Sequence, residues 1–338
     1  MKVAVFSTRH YDSKFLTQAN LAANANHEFV YFNSKLETKT VALSQGCSAV
    51  CAFVNDDLGE DTLKLLADYD VRFIVLRCTG FNNVDLPAAA KLGIKVARVS
   101  HYSPYSVAEF AVGLIMMLNR KLYRAYNRVR DDNFALDGLM GFDLQGCTVG
   151  VIGTGKIGRI FGNIMQGFGC RLLAFDPFPH PEFAAMNNAK YTDLTTIWQQ
   201  SDVISLHCPL TAENCYLIDK AAIAQMKPGM MLINTSRGKL IDTKAAIEGI
   251  KLGIIGYLGI DVYEEEDDLF FEDFSDAIIQ DDTFQLLQSF PNVVITGHQA
   301  FFTKNAIAQI SEMTISNLSD FEANRPCPNV LDPATLKS

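Results

Sequence analysis

Short apolar runs rich in β-branched residues alternate with helical stretches along nearly the whole chain, and this alternation restricts the fold more than any other feature. In the first third the runs are Val3–Phe6, Phe29–Phe32, Ala49–Val54, Phe73–Leu76 and Lys95–Val99, separated by mixed polar and apolar segments near 14–24, 36–45, 60–68 and 87–92. Parallel strands cannot be joined by a tight hairpin and need a crossover, usually a helix, so the pattern predicts parallel sheets covered by helices. At Ser103-Pro104 the pattern changes: Ser before Pro marks a helix start, Ser106-x-x-Glu109 has capping-box spacing, and one long helix is expected to about Arg128. A second series follows, with runs at Thr148–Ile152, Arg171–Phe175, Asp202–His207, Met230–Asn234, Ile255–Asp261 and Val293–Thr296, then an amphipathic helix at about 303–322 and a Pro-rich tail. The expected fold class is α/β with two doubly wound parallel-sheet domains and a boundary near residue 100. Pattern alone does not say which domain takes the last helix.

With 338 residues, 49% hydrophobic and 20% charged, the chain has the composition of a soluble globular protein large enough for two domains. Its net charge of -9 argues against nucleic acid or an anionic membrane as partner. The N-terminal apolar run, Val3–Phe6, is too short for a signal-peptide core, and the longest apolar stretch, near Phe110–Leu118, is about half a membrane span. Eight cysteines without a C-x-x-C pair read as reduced thiols, so a cytoplasmic enzyme is expected.

The sharpest local signal is Gly153-Thr154-Gly155-Lys156-Ile157-Gly158, directly after a strand and opening a helix. Glycines there permit a tight turn, close backbone approach to a pyrophosphate and close helix–strand packing, and the helix start offers free N–H groups to the phosphates. Asp176 ends the next strand, 18 residues after Gly158. An acid at that place accepts ribose hydroxyls and repels a 2′-phosphate, which favours NAD over NADP.

Ligands of open α/β sheets bind at the carboxyl ends of the strands. The later strands end in His207-Cys208-Pro209, Thr235-Ser236-Arg237-Gly238, Asp261 and Gly297-His298. An Arg fork takes a carboxylate in two hydrogen bonds, and a His can protonate a carbonyl oxygen as hydride arrives, so Arg237 and His298 suit reduction of a 2-keto acid. A carboxylate in Asp261–Glu266 could hold the imidazole; Glu264, Glu265 and Glu266 are all open by spacing. Arg237 paired with a surface acid and His298 as a satisfied core histidine would be the bland alternative. His10, His27 and His180 have no convergent partners, so no metal site is expected.

The stretch Gly153–Asp176, Asn234–Gly238, Asp261–Glu266 and His298–Phe301, with Phe53–Asp57, Leu76–Asp85 and Asp267–Asp273, resembles the D-isomer-specific 2-hydroxyacid dehydrogenases, nearest to members that reduce pyruvate to D-lactate with NADH. The resemblance implies a flavodoxin-like substrate domain (1–100 and 300–338) and a Rossmann NAD-binding domain (101–299), the last helix returning to the first. It gives Arg237 the substrate carboxylate, His298 the proton transfer and Glu266 the support of His298. Thr79, Gly80 and Tyr102 would help hold the substrate, with Phe53 and Phe301 walling its methyl group and domain closure excluding water. Gly153, Gly155, Lys156, Ile157 and Gly158 would face the pyrophosphate and Asp176 the adenosine ribose. Cys208, Pro209 and Asn214 would flank the adenine side, while Thr235, Ser236, Arg237 and Asp261 would approach the nicotinamide end. A homodimer or homotetramer is implied, with the long helix after Ser103 in the contact. Another small 2-keto acid (phenylpyruvate, glyoxylate or hydroxypyruvate) and a non-enzymatic NADH sensor are the competing readings.

Overall fold

Each strand series closes into its own all-parallel sheet in a computed structural model that describes residues 1–266, 269–271 and 273–333. The chain divides into two units, Met1–Ser103 with the chain from Phe302 onward, and Pro104–Phe301.

In the first unit β1 (Lys2–Val5), β2 (Glu28–Tyr31), β3 (Ala49–Ala52), β4 (Phe73–Leu76) and β5 (Lys95–Ala97) pair in the order β2-β1-β3-β4-β5. That is the flavodoxin-like order, with its switch point between β1 and β3. Alternate residues face opposite sides. Val3 and Val5 meet Leu16 of the helix His10–Ala22 and Ile315, Leu318 and Phe321 of the helix Lys304–Glu322. Ala4 and Phe6 meet Leu63, Leu66 and Leu86 on the other side. The last helix therefore packs in this unit, its Phe321 ring stacked 4.9 Å from Phe73. The segment near 36–45 forms only a 3-10 turn, Val41–Ser44. Its Thr40 hydroxyl donates to Lys35 O and accepts from Glu37 N, capturing backbone groups a helix would need.

The second unit orders β6 (Thr148–Ile152), β7 (Arg171–Phe175), β8 (Ala189–Tyr191), β9 (Val203–Leu206), β10 (Met230–Asn234), β11 (Ile255–Ile260) and β12 (Val293–Ile295) as β12-β11-β10-β9-β6-β7-β8. This is the Rossmann order with one strand added. The sequence reading omitted β8, a three-residue edge strand with an exposed Lys190 at its centre and no apolar run. Nor does the helix after Ser103 run unbroken: Pro104–Asn119 ends, Lys121 takes a left-handed φ of 48°, and Leu122–Arg130 begins afresh. The Asn119 side chain bonds both Phe142 N and Phe142 O at 2.8 Å, so the returning segment 138–142 crosses the helix end. Ser106 is the third residue of the first helix and cannot be its N-cap.

Candidate active site

The strands of the second sheet are parallel and about 4.8 Å apart, so their carboxyl ends share one edge in the order β12, β11, β10, β9, β6, β7. The glycine-rich turn follows β6 and opens the helix Lys156–Gly167. Gly153 has φ +93°, and a Cβ there would lie 2.6 Å from Cys208 N; a Cβ on Gly158 would lie 2.0 Å from Gly153 O. Both contacts are with backbone, so no side chain could yield. Gly155 caps the helix without a side-chain acceptor, leaving amides for an anion alongside Lys156 and Ile157.

Asp176, after β7, holds this turn from the side. Its Oδ2 accepts from Thr154 N at 2.6 Å and Thr154 Oγ1 at 3.1 Å, and its Oδ1 from Phe178 N at 2.8 Å. After β9, Cys208 O accepts from Ser236 Oγ at 2.6 Å, and Asn214 Nδ2 donates to Pro209 O at 2.7 Å. Burial pushes the Cys208 thiol up to about 11, consistent with packing rather than redox chemistry. Thr235 Oγ1 is buried with no hydrogen-bond partner among the described residues. An unmet buried hydroxyl is costly, so this orphan and the glycine cradle both fit a dinucleotide along the edge.

Past β12, His298 adopts φ +51° and its Nδ1 lies 2.8 Å from Glu266 Oε1. Glu266, past β11, accepts from Tyr263 N through Oε2 at 2.9 Å. The neighbouring acids go elsewhere: Glu264 takes Tyr216 OH and Thr243 N, and Glu265 is exposed. Asp261 is fully buried, its Oδ1 accepting from Thr296 Oγ1 (2.6 Å) and Gln299 N (2.9 Å) and its Oδ2 from Ala300 N (2.7 Å). Its backbone O accepts from His298 N at 2.8 Å. Burial raises the Asp261 carboxyl above its ordinary range, with these donors and the nearby His298 pulling the other way. The residue thus shapes the loop carrying His298 and half-buried Phe301.

Past β10, Arg237 extends a half-buried guanidinium whose Nη1 donates to Ser236 O at 2.7 Å; no carboxylate lies within 4 Å among the described residues. Gly238 lets its loop meet the next one: a Cβ there would lie 2.1 Å from Tyr263 C.

Two residues escaped the sequence reading as individuals. Asn234, fully buried, donates to Arg237 O at 2.8 Å and accepts from Ser236 N at 3.0 Å, fixing the turn that presents Arg237. It stood inside a quoted motif, but nothing local marks its side chain as turned back on the loop. Phe271, at the strained φ of +70°, sets its ring 5.8 Å from the His298 ring. Asp267, Asp268 and Glu272 of the same stretch lie outside the described residues.

In the first unit, Phe53 is buried after β3, its ring under the Arg77 guanidinium at 4.9 Å and its N–H donating to Asp56 Oδ2 at 2.6 Å. Thr79 and Gly80 form a half-buried turn after β4, and Tyr102, also half-buried, comes after β5.

A family model described as D-isomer specific 2-hydroxyacid dehydrogenase, NAD binding domain, matches residues 112–300. The chain is 54% identical over 331 residues to the D-lactate dehydrogenase of Escherichia coli (strain K12), which spans 98% of this chain and 100% of that protein. A solved structure of the pyruvate reductase of Chlamydomonas reinhardtii is similar at TM-score 0.92 and 41% identity, covering 97% of this chain and 98% of its own. The D-lactate dehydrogenase with NAD+ from Lactobacillus jensenii is similar at TM-score 0.82 and 31% identity, covering 98% and 100%.

Proposed function

The chain belongs to the D-isomer-specific 2-hydroxyacid dehydrogenases, and from that premise we propose that it reduces pyruvate to D-lactate with NADH. The observation that carries the reading is the 2.8 Å contact between His298 Nδ1 and Glu266 Oε1, beside a strand end whose Arg237 has no acidic partner among the described residues. Bound NADH supplies the hydride that reaches the keto carbon. Arg237 holds the substrate carboxylate by its planar fork and polarises the keto group. Glu266 accepts a hydrogen bond from the Nδ1–H of His298, which orients the ring so that Nε2 delivers a proton to the keto oxygen. In lactate oxidation the same nitrogen takes the proton back.

The glycine turn with Lys156 and Ile157 holds the pyrophosphate, and Asp176 faces the adenosine ribose while bracing Thr154. Cys208, Pro209 and Asn214 serve the adenine side. Thr235 and Ser236 serve the nicotinamide end, and Asp261 acts there through the loop it fixes. Phe53, Thr79, Gly80, Tyr102 and Phe301 serve the substrate.

The protein works in the cytoplasm as a homodimer or a tetramer built from dimers. Two observations support this: all eight cysteines are free thiols, and Leu122, Tyr126, Val129, Phe134, Leu136 and Met140 are more than half exposed along one segment of the chain. Among the described residues no helix is long and apolar enough to cross a membrane.

The test is NADH absorbance loss on adding pyruvate, repeated with NADPH and phenylpyruvate, with the product's chirality determined. Pyruvate-dependent loss giving D-lactate is expected, falling at least about a hundredfold in His298→Gln while NADH binding stays intact. Turnover confined to phenylpyruvate would move the substrate. No turnover on any 2-keto acid would overturn the enzyme reading in favour of an NADH sensor.

A further inference from the structure

We infer that Arg98, which the reading above leaves unused, is a positioning residue that turns the Thr79–Gly80 loop into a receptor for the substrate's carboxylate. Arg98 lies just past β5 with its backbone held on both sides: its N–H donates to Asn329 O at 3.1 Å, and its carbonyl accepts from the buried Asn317 Nδ2 at 3.0 Å. From that fixed base its Nη1 donates to Thr79 O at 3.0 Å, and its guanidinium lies 4.9 Å from the centre of the Phe81 ring. The next carbonyl is held as well, Cys78 Sγ donating to Gly80 O at 3.2 Å.

Peptide planarity gives these two bonds their consequence. The Thr79 carbonyl and the Gly80 N–H belong to one rigid unit and point in opposite directions, as do the Gly80 carbonyl and the Phe81 N–H. Tethering both carbonyls therefore turns two successive N–H groups away from Arg98 and Cys78. Neither has an acceptor among the described residues. Consecutive amides left without acceptors are the donors from which anion-binding concavities are made, and this pair stands at the carboxyl end of a parallel strand, where ligands of such sheets bind. Arg98 adds a charge: no carboxylate lies within 4 Å of it among the described residues, and a guanidinium keeps its proton despite partial burial. Lysine could supply the charge but not a planar group that donates and stacks together.

The inference rests on the reduction of a 2-keto acid proposed above. Steady-state kinetics of the full-length Arg98→Gln and Arg98→Lys variants test it. With Gln, KM for pyruvate should rise about tenfold or more while kcat stays within about twofold and KM for NADH is unchanged. With Lys, KM for pyruvate should rise about threefold. A wild type that reduces pyruvate alongside variants with unchanged KM for pyruvate would overturn this inference alone. So would KM values for pyruvate and NADH that rise together with a fall in thermal midpoint, the mark of a merely structural role. A wild type inactive on every 2-keto acid would overturn the functional reading, and this inference with it.

Discussion

Acidification should weaken the folded chain in part through His207. It stands at the carboxyl end of β9, its ring 4.7 Å from that of Phe161 and its Nε2 2.9 Å from Ser205 Oγ. The residue as a whole is half-buried, but Nδ1 is inaccessible and has no partner among the described residues. Burial pushes its pKa down from 6.5 to about 3. The unfolded chain therefore takes up this proton first. Stability from the neutral ring is fully present above pH 6.5 and is lost as pH falls from there towards 3. The linkage relation makes the loss about 0.8 kcal/mol at pH 6 and about 2 kcal/mol at pH 5, relative to pH 8. At pH 5 the folded ring is still neutral. Urea unfolding of the cofactor-free chain at pH 8, 6 and 5 measures it, with His207→Gln as the comparison. Glutamine keeps a polar end in reach of Ser205 and cannot titrate, while every other histidine contributes equally to both proteins and cancels. Between pH 8 and pH 5 the wild type should lose about 2 kcal/mol more than the variant. Equal losses would refute the reasoning, because His207 would then be free to take up its proton in the folded state.

Three further outcomes are expected. Gly158→Ala puts a methyl group 2.0 Å from Gly153 O; fluorescence titration should show NADH binding weakened at least about tenfold, since overpacking against backbone costs roughly 1–3 kcal/mol. Asp261→Asn replaces a buried carboxylate that accepts from Thr296, Gln299 and Ala300; one amide N–H then faces a donor, and urea unfolding should show a loss of roughly 2–4 kcal/mol. Burial pushes Cys51 and Cys208 up to about 11, whereas Cys215 is exposed. A thiol reagent at pH 8 should therefore modify Cys215 first, as peptide mapping would show, and early modification of Cys208 would contradict its packing.

The strands of both sheets were legible because a parallel strand covered on both faces reads as a nearly unbroken apolar run; β10 is buried at all five positions. β8 escaped because an exposed edge strand needs no such run. The break at Asn119 escaped because its cause, a side-chain clamp on Phe142, lies 23 residues downstream. The site divides along the same line. The glycine turn is a local device, so spacing revealed it, and Arg237 and His298 were found by asking what ends each strand.

The sequence by itself thus determined the strand and helix alternation, the turn after β6 and the residue types gathered on one sheet edge, all of which depend on near neighbours and on periodicity. Spacing left three consecutive glutamates open and the family resemblance pointed to Glu266, but the contact with His298 itself is made only by the tertiary structure. Glu264 goes to Tyr216 and Thr243, Glu265 to solvent, and Glu266 to an imidazole 32 residues further along the chain. It likewise decided that Asn234 turns back on the Arg237 loop and that Arg98 fastens Thr79. The physical reason is that a hydrogen bond extends about 3 Å. Partners remote in sequence come within that reach only after pairing and packing have set neighbouring strands about 4.8 Å apart.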